Sequence, residues 1–181
     1  MKIITYERFL HLKAIYINCT LKKSPRDSHT AKLMDVSTTI MKKEGVDVEV
    51  VRFIDYFIAP GVHADMTQHG WEKDEWLKVY DKILAADILV VDTPIWLGNK
   101  SSQATSLIER LYAMSGKKND KGQYVYYGKV AGCIVNGNED GVKAVAQNVM
   151  YALQHIGYSI PPQADAGWLG EIGPGPNYGD P

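Results

Sequence analysis

The stretch TPIWLGNKSSQ, residues 93–103, places a proline, an indole, a glycine and an asparagine directly behind the apolar run ILVVD. A tight connection uses Gly98 and Asn99 but has no need of an indole. Trp96 in that setting suits a wall for a flat ring, with main-chain amides beside it to meet the ring's polar edge; an ordinary core or interface aromatic is the competing reading. A second stretch, NCTLKKSPRDSHTAKL (18–33), carries hydroxyls at Thr20, Ser24, Ser28 and Thr30 and cations at Lys22, Lys23 and Arg26. It enters a helix at Ser28–His29–Thr30, where free N–H groups and the helix dipole suit an anion. It has neither the G-x-G-x-x-G fingerprint nor the Walker lysine pattern, and a turn followed by a helix cap accounts for the same residues. A third, NGNEDG (136–141), offers amides and carbonyls to the edge of a heterocycle, or caps the helix that follows.

These stretches need a scaffold that brings them together. Four β-branched runs read as buried parallel strands: AIYIN (14–18), VDVEVVRF (46–53), DILVVDT (87–93) and KVAGCIVNG (129–137). YSIPP (158–162) is a weaker fifth. Between them lie helical patterns. SHTAKLMDVSTTIMKKEG (28–45) has Leu33, Val36, Ile40 and Met41 at helical spacing, and DEWLKVYDKILAA (74–86) has Trp76, Leu77, Tyr80, Ile83 and Leu84. SSQATSLIERLYAMSG and DGVKAVAQNVMYALQHIG each run from a polar start to a glycine stop. Such alternation predicts an open parallel sheet with helices on both faces, and in such sheets ligands bind beyond the carboxyl ends of the strands. All three stretches leave strands at that edge. Together they offer a phosphate cradle, an aromatic wall and an amide-rich edge, the composition a flavin mononucleotide (FMN) site needs.

The chain of 181 residues reads as a single domain, with residues 1–12 as an N-terminal extension and 161–181 as a tail. Five prolines and five glycines in that tail exclude a regular helix. No helix therefore covers the last strand; either the chain is truncated or a second copy covers the gap. A net charge of -1 leaves no electrostatic footprint for nucleic acid or an anionic membrane. Cys19 and Cys133 have no metal-ligand spacing, so no metal is expected and both read as buried reduced thiols. The start, MKIITYERFLHLK, is too charged for a secretory segment, which predicts a cytoplasmic protein.

The residues INCTLKKSPRDSHT, TPIWLGNKSSQ and GKVAGCIVNGNEDG resemble the NADPH-dependent FMN reductases, a branch of the flavodoxin-like proteins that includes the multimeric quinone reductases. The resemblance runs in order over about 20–160, and GWLGEIGPGP in the tail resembles close members, which generally continue further. It implies a flavodoxin-like α/β fold, a sheet of five parallel strands in the order 2-1-3-4-5, with FMN at its carboxyl edge. Mapped onto this sequence, Thr20, Lys22, Ser28, His29 and Thr30 surround the FMN phosphate. Pro94, Ile95, Trp96, Leu97, Gly98 and Asn99 line the ring from one side, and Asn136, Gly137, Asn138 and Gly141 approach from the other. The first loop is longer than in short-chain flavodoxins, so the match fixes the loop better than the individual phosphate ligands. It also implies a homodimer or homotetramer sharing the flavin site.

The expected chemistry follows from that cofactor: NAD(P)H as co-substrate delivers hydride to the flavin N5, and electrons pass to a quinone, a free flavin or a similar small acceptor. No protein acid or base is required, so no catalytic residue is assigned; His29, His155 and the Glu139–Asp140 pair read as loop, helix or surface residues. A one-electron carrier flavodoxin is the first rival, and the near-neutral charge counts against it. A flavin-free scaffold is the second. A hydrolase or nucleotide-binding protein is the third, and it lacks G-x-S-x-G and the phosphate fingerprints.

Overall fold

The computed structural model describes residues 9–173 and 175–180. Five strands form one parallel ladder: β1 (Lys13–Asn18), β2 (Asp47–Arg52), β3 (Ile88–Trp96), β5 (Val130–Gly137) and β6 (Asp165–Leu169), in the order β2-β1-β3-β5-β6. The two-residue β4 (Asn99–Lys100) stands off this path as a hairpin partner of β3. With that hairpin set aside, the order is the expected 2-1-3-4-5, the flavodoxin-like one.

The central strands are buried on both sides, which is why they read as unbroken apolar runs. On one face Ile15, Ile17, Leu89, Val91, Cys133 and Val135 pack with α2 (Trp76–Ala85), α3 (Ser102–Met114) and α4 (Val142–His155) into the larger core cluster. On the other, Ala14, Tyr16, Val90 and Ile134 pack with α1 (His29–Lys43). A polar excursion between α3 and β5 folds back through an antiparallel bridge between Lys118 and Tyr124.

Three expectations change. The fifth parallel strand is Asp165–Leu169 and not YSIPP: only Ser159 of that run bridges to Val130, and Pro161 and Pro162, which lack donors, carry the chain off the ladder. The ladder resumes at Ala164, whose carbonyl accepts Cys133 N–H at 2.9 Å. On α1, Val36 and Ile40 are exposed and the buried stripe is Thr30, Met34 and Thr38, with Leu33 and Met41 at its margins. The reason is helical phase: Thr30, Met34 and Thr38 share one face at i, i+4 spacing, and Val36 and Ile40, each two residues further on, stand across the helix from it. On α2, Leu77 is exposed and Val79 is buried beside Trp76, Tyr80 and Ile83.

Candidate functional site

The three sequence stretches meet at the carboxyl edge, around a cavity of about 550 Å³, a size that suits a small-molecule ligand. Thr20, Leu21, Lys22, His29 and Thr30 form one wall; Pro94, Ile95 and Trp96 a second; Asn136, Gly137, Asn138 and Glu139 a third. Gly173, Gly175 and Asn177 of the tail close the rim.

The first wall is held by short-range polar contacts. Asn18 Oδ1 accepts Thr20 N–H at 3.0 Å. Ser28 is the N-cap of α1, its hydroxyl accepting Ala31 N–H at 3.2 Å, so this hydroxyl is committed to the helix and Ser28 does not line the cavity. Ser24 is drawn away toward the end of β2, where both its N–H and its hydroxyl donate to Asp55. Thr20, Lys22, His29 and Thr30 remain at the cavity.

The second wall is a strand end and hairpin where the sequence suggested a loop. Strand β3 runs on through Trp96 and reverses in two residues, Leu97 and Gly98, both at positive φ (52° and 71°), before Asn99 pairs back with Trp96. Two positive φ values in a two-residue hairpin are the geometry of a type I′ turn, which matches strand twist. Leu97 is strained there, and Glu139 Oε1 accepts its N–H at 3.1 Å. Gly141, at φ 126°, faces the tip so closely that a Cβ would come within 3.1 Å of the Gly98 backbone. Gly98 and Gly141 thus let the hairpin pack on the start of α4; with Leu97 and Asn99 they stand outside the lining, which Trp96 reaches. Behind this wall Ser101 ties the stretches together: its N–H donates to Thr93 Oγ1 at 3.0 Å, its hydroxyl to Cys19 O at 2.7 Å.

On the third wall Asn136 is buried, and its Oδ1 has no partner among the described residues. Below it, on the same face of the sheet, lies Asp92, fully buried, with neither carboxylate oxygen partnered. Burial, reinforced by Asp35, pushes Asp92 well above the usual carboxylate range, which favours the neutral acid. Cys19 and Cys133 are free and buried, their thiols pushed up by that burial, Cys133 to about 12. No His, Cys, Asp and Glu cluster among the described residues is arranged to hold a metal, and none of their helices is long and apolar enough to cross a membrane.

The sequence model of the NADPH-dependent FMN reductases matches residues 12–167. The chain belongs to this family. Among family relatives, a Mycobacterium bovis protein named divalent metal cation transporter MntH is 57% identical over 174 residues, 96% of this chain but 25% of that protein. The chain therefore spans about a quarter of that relative. The 8-demethyl-8-aminoriboflavin-5'-phosphate synthase of Streptomyces davaonensis is 41% identical over 180 residues, covering 92% of this chain and 67% of the synthase. The crystal structure of RosB with bound 8-demethyl-8-formylriboflavin-5'-phosphate superposes with a TM-score of 0.84 at 42% identity, over 92% of this chain and 68% of that one.

Within the FMN reductase frame, five cavity residues escaped the sequence reading: Leu21, Glu139, Gly173, Gly175 and Asn177. Leu21 stood between two assigned neighbours and could have been found. Glu139 read as a surface acid because its partner, the Leu97 N–H, lies 42 positions away.

Proposed function

We propose that this chain binds FMN in the carboxyl-edge cavity and is an NAD(P)H-dependent oxidoreductase that passes electrons to a quinone, a free flavin or a similar small acceptor. One observation carries this reading: a hydroxyl-bearing cationic loop, an exposed indole and a buried, unpartnered amide oxygen converge on one cavity. The donor set fits the cofactor. Thr20, Lys22, His29, Thr30 and the first N–H groups of α1 suit a phosphate, and Pro94, Ile95 and Trp96 suit a flat ring. Asn136 Oδ1 is an orphan acceptor, so it suits a ring N–H. Bound FMN would supply the hydride-accepting chemistry; the protein's part is to bind, orient and desolvate. Glu139 serves that end by fixing the hairpin tip, and no side chain is needed as acid or base.

The test is an FMN titration read by flavin absorbance, followed by NADPH. Binding with bleaching of the flavin bands is expected. Trp96→Ala should weaken FMN about 10- to 100-fold, since one aromatic stack is worth roughly 1–3 kcal/mol. A protein that leaves added FMN unchanged would overturn the reading. A second reading, FMN as substrate, is favoured by the synthase's 41% identity over 92% of this chain. Chromatography separates the two: the reductase returns FMN unaltered after many turnovers, whereas a flavin-modifying enzyme consumes it.

Leu97 is 93% exposed and Trp96 53%, an apolar tip at the cavity rim. That supports a homodimer or homotetramer in which a second copy completes the pocket. Sedimentation as a stable 20.2 kDa monomer would remove the oligomer from the proposal.

A further inference from the structure

The segment after β6 crosses the cavity mouth and reaches the wall assigned to phosphate. Beyond β6, Gly170 N–H donates to Gly137 O at 2.9 Å, and the Asn138 amide donates to the carbonyls of Gly175 and Pro176 at 3.0 and 3.2 Å. Tyr178 meets Trp168 edge to face at 5.6 Å. The chain then reaches the first turn of α1, where His29 Nδ1 lies 3.2 Å from the Tyr178 carbonyl and the Lys32 ammonium donates to Gly179 O at 3.1 Å. Asp180 finishes the crossing: its carboxylate stands 3.5 Å from His29 Nδ1 and 3.8 Å from Lys32 Nζ. The turn is built to hold that carboxylate, since both Asn177 N–H and the Asn177 amide donate to it at 2.9 Å.

His29 lines the cavity and Gly175 and Asn177 form its rim, so the same short segment both narrows the mouth and sets an anion on a side chain offered to a phosphate. We propose that residues 175–180 are an internal competitor: Asp180 holds His29 and Lys32 in the free protein, and the phosphate of an incoming flavin nucleotide displaces it. This rests on the FMN reading of the site and adds its regulation. A dianionic phosphate seated at the His29 wall displaces a single carboxylate, whereas an uncharged flavin does not compete with it. The segment thus makes entry conditional on the phosphate and opens when it arrives.

Asp180→Asn keeps an acceptor for Asn177 and removes the charge. FMN should bind this variant about two- to fivefold more tightly than wild type, the range a partly exposed ion pair spans, with riboflavin affinity unchanged. Hydrogen exchange supplies the second readout. In wild type, the amides of Asn177 and Asp180 are hydrogen-bonded, and FMN or millimolar inorganic phosphate should speed their exchange. Equal or weaker FMN binding by the variant, or slower exchange on adding either anion, overturns the competitor, the second outcome meaning that the segment clamps onto ligand instead. Failure of the FMN reading looks different: FMN is then inert toward both proteins, while inorganic phosphate still reports on the Asp180 contact and decides it.

Discussion

Asp74→Ala should unfold about 3–5 kcal/mol more readily than wild type, the cost of leaving a buried charge without its partner. Arg110 and Asp74 are almost fully excluded from solvent, with side-chain exposures of 0% and 2%. Asp74 Oδ2 accepts Arg110 Nη2–H at 2.6 Å and Met66 N–H at 3.1 Å, while Oδ1 accepts Trp76 N–H at 3.1 Å and Ala59 N–H at 3.4 Å. One carboxylate thus gathers the segment between β2 and α2 and neutralises a guanidinium lying over the Trp76 ring, 5.6 Å from its centroid. Arg110 Nε and Nη1 already lack partners among the described residues, and Nη2 would keep only the Ala64 carbonyl at 3.2 Å. Asp74→Asn should be milder, because it keeps acceptors for the backbone N–H groups and loses only the charge. Urea unfolding measures both: the midpoint falls further for alanine than for asparagine, with the slope unchanged if the native fold is kept. Equal midpoints for the two variants would show that the charge, and not the acceptor set, is what matters.

What the sequence made legible follows from what each element needs. YSIPP missed β6 altogether, but the four β-branched runs came within one residue of their observed bounds except where β3 continues through Pro94 to Trp96. That extension was hidden for two reasons. A proline in a strand argues for its end, and a two-residue hairpin is usually announced by Asn-Gly, where this chain has Leu97-Gly98. Pro94 is tolerated because the pairing of β3 with β1 ends at Asp92, while β5 still pairs with Pro94 through Asn136. The loops at the carboxyl edge were legible as loops, and Thr20, Lys22, His29, Thr30, Pro94, Ile95, Trp96, Asn136, Gly137 and Asn138 do come together at the cavity. The roles of Ser28, Gly98 and Gly141 were not legible, since capping and close backbone approach leave the same residue types as ligand binding. The tail was the least legible part. Its hold on His29 spans 149 positions, and no local pattern carries a contact of that range.

Asp92 would also have passed for an ordinary turn residue at the end of an apolar run, yet its burial makes a steep expected result. Its folded-state pKa lies well above the unfolded value of roughly 3.9 because burial disfavours the carboxylate, with Asp35 adding repulsion. The native state therefore keeps a proton that the unfolded chain releases. The stability tied to this group is complete below the unfolded pKa and is lost as pH rises toward the folded one, at up to about 1.4 kcal/mol per pH unit. Asp92→Asn removes that slope. Unfolding free energies of wild type and variant, measured in urea from pH 4 upward, should converge or cross in the variant's favour as pH rises. A constant difference across the range would mean that Asp92 ionises normally and that the buried acid is satisfied in solution. The result bears on the cavity as well as on stability. Asp92 lies two residues before Pro94 and shares a sheet face with Asn136, so ionising it would place a charge directly beneath the second and third walls. An anionic ligand is best served by a site whose floor stays neutral, and the protein meets that need by burying the acid rather than pairing it. The wild-type FMN affinity should therefore fall below that of Asp92→Asn as pH rises and Asp92 begins to ionise, and the two should agree at lower pH.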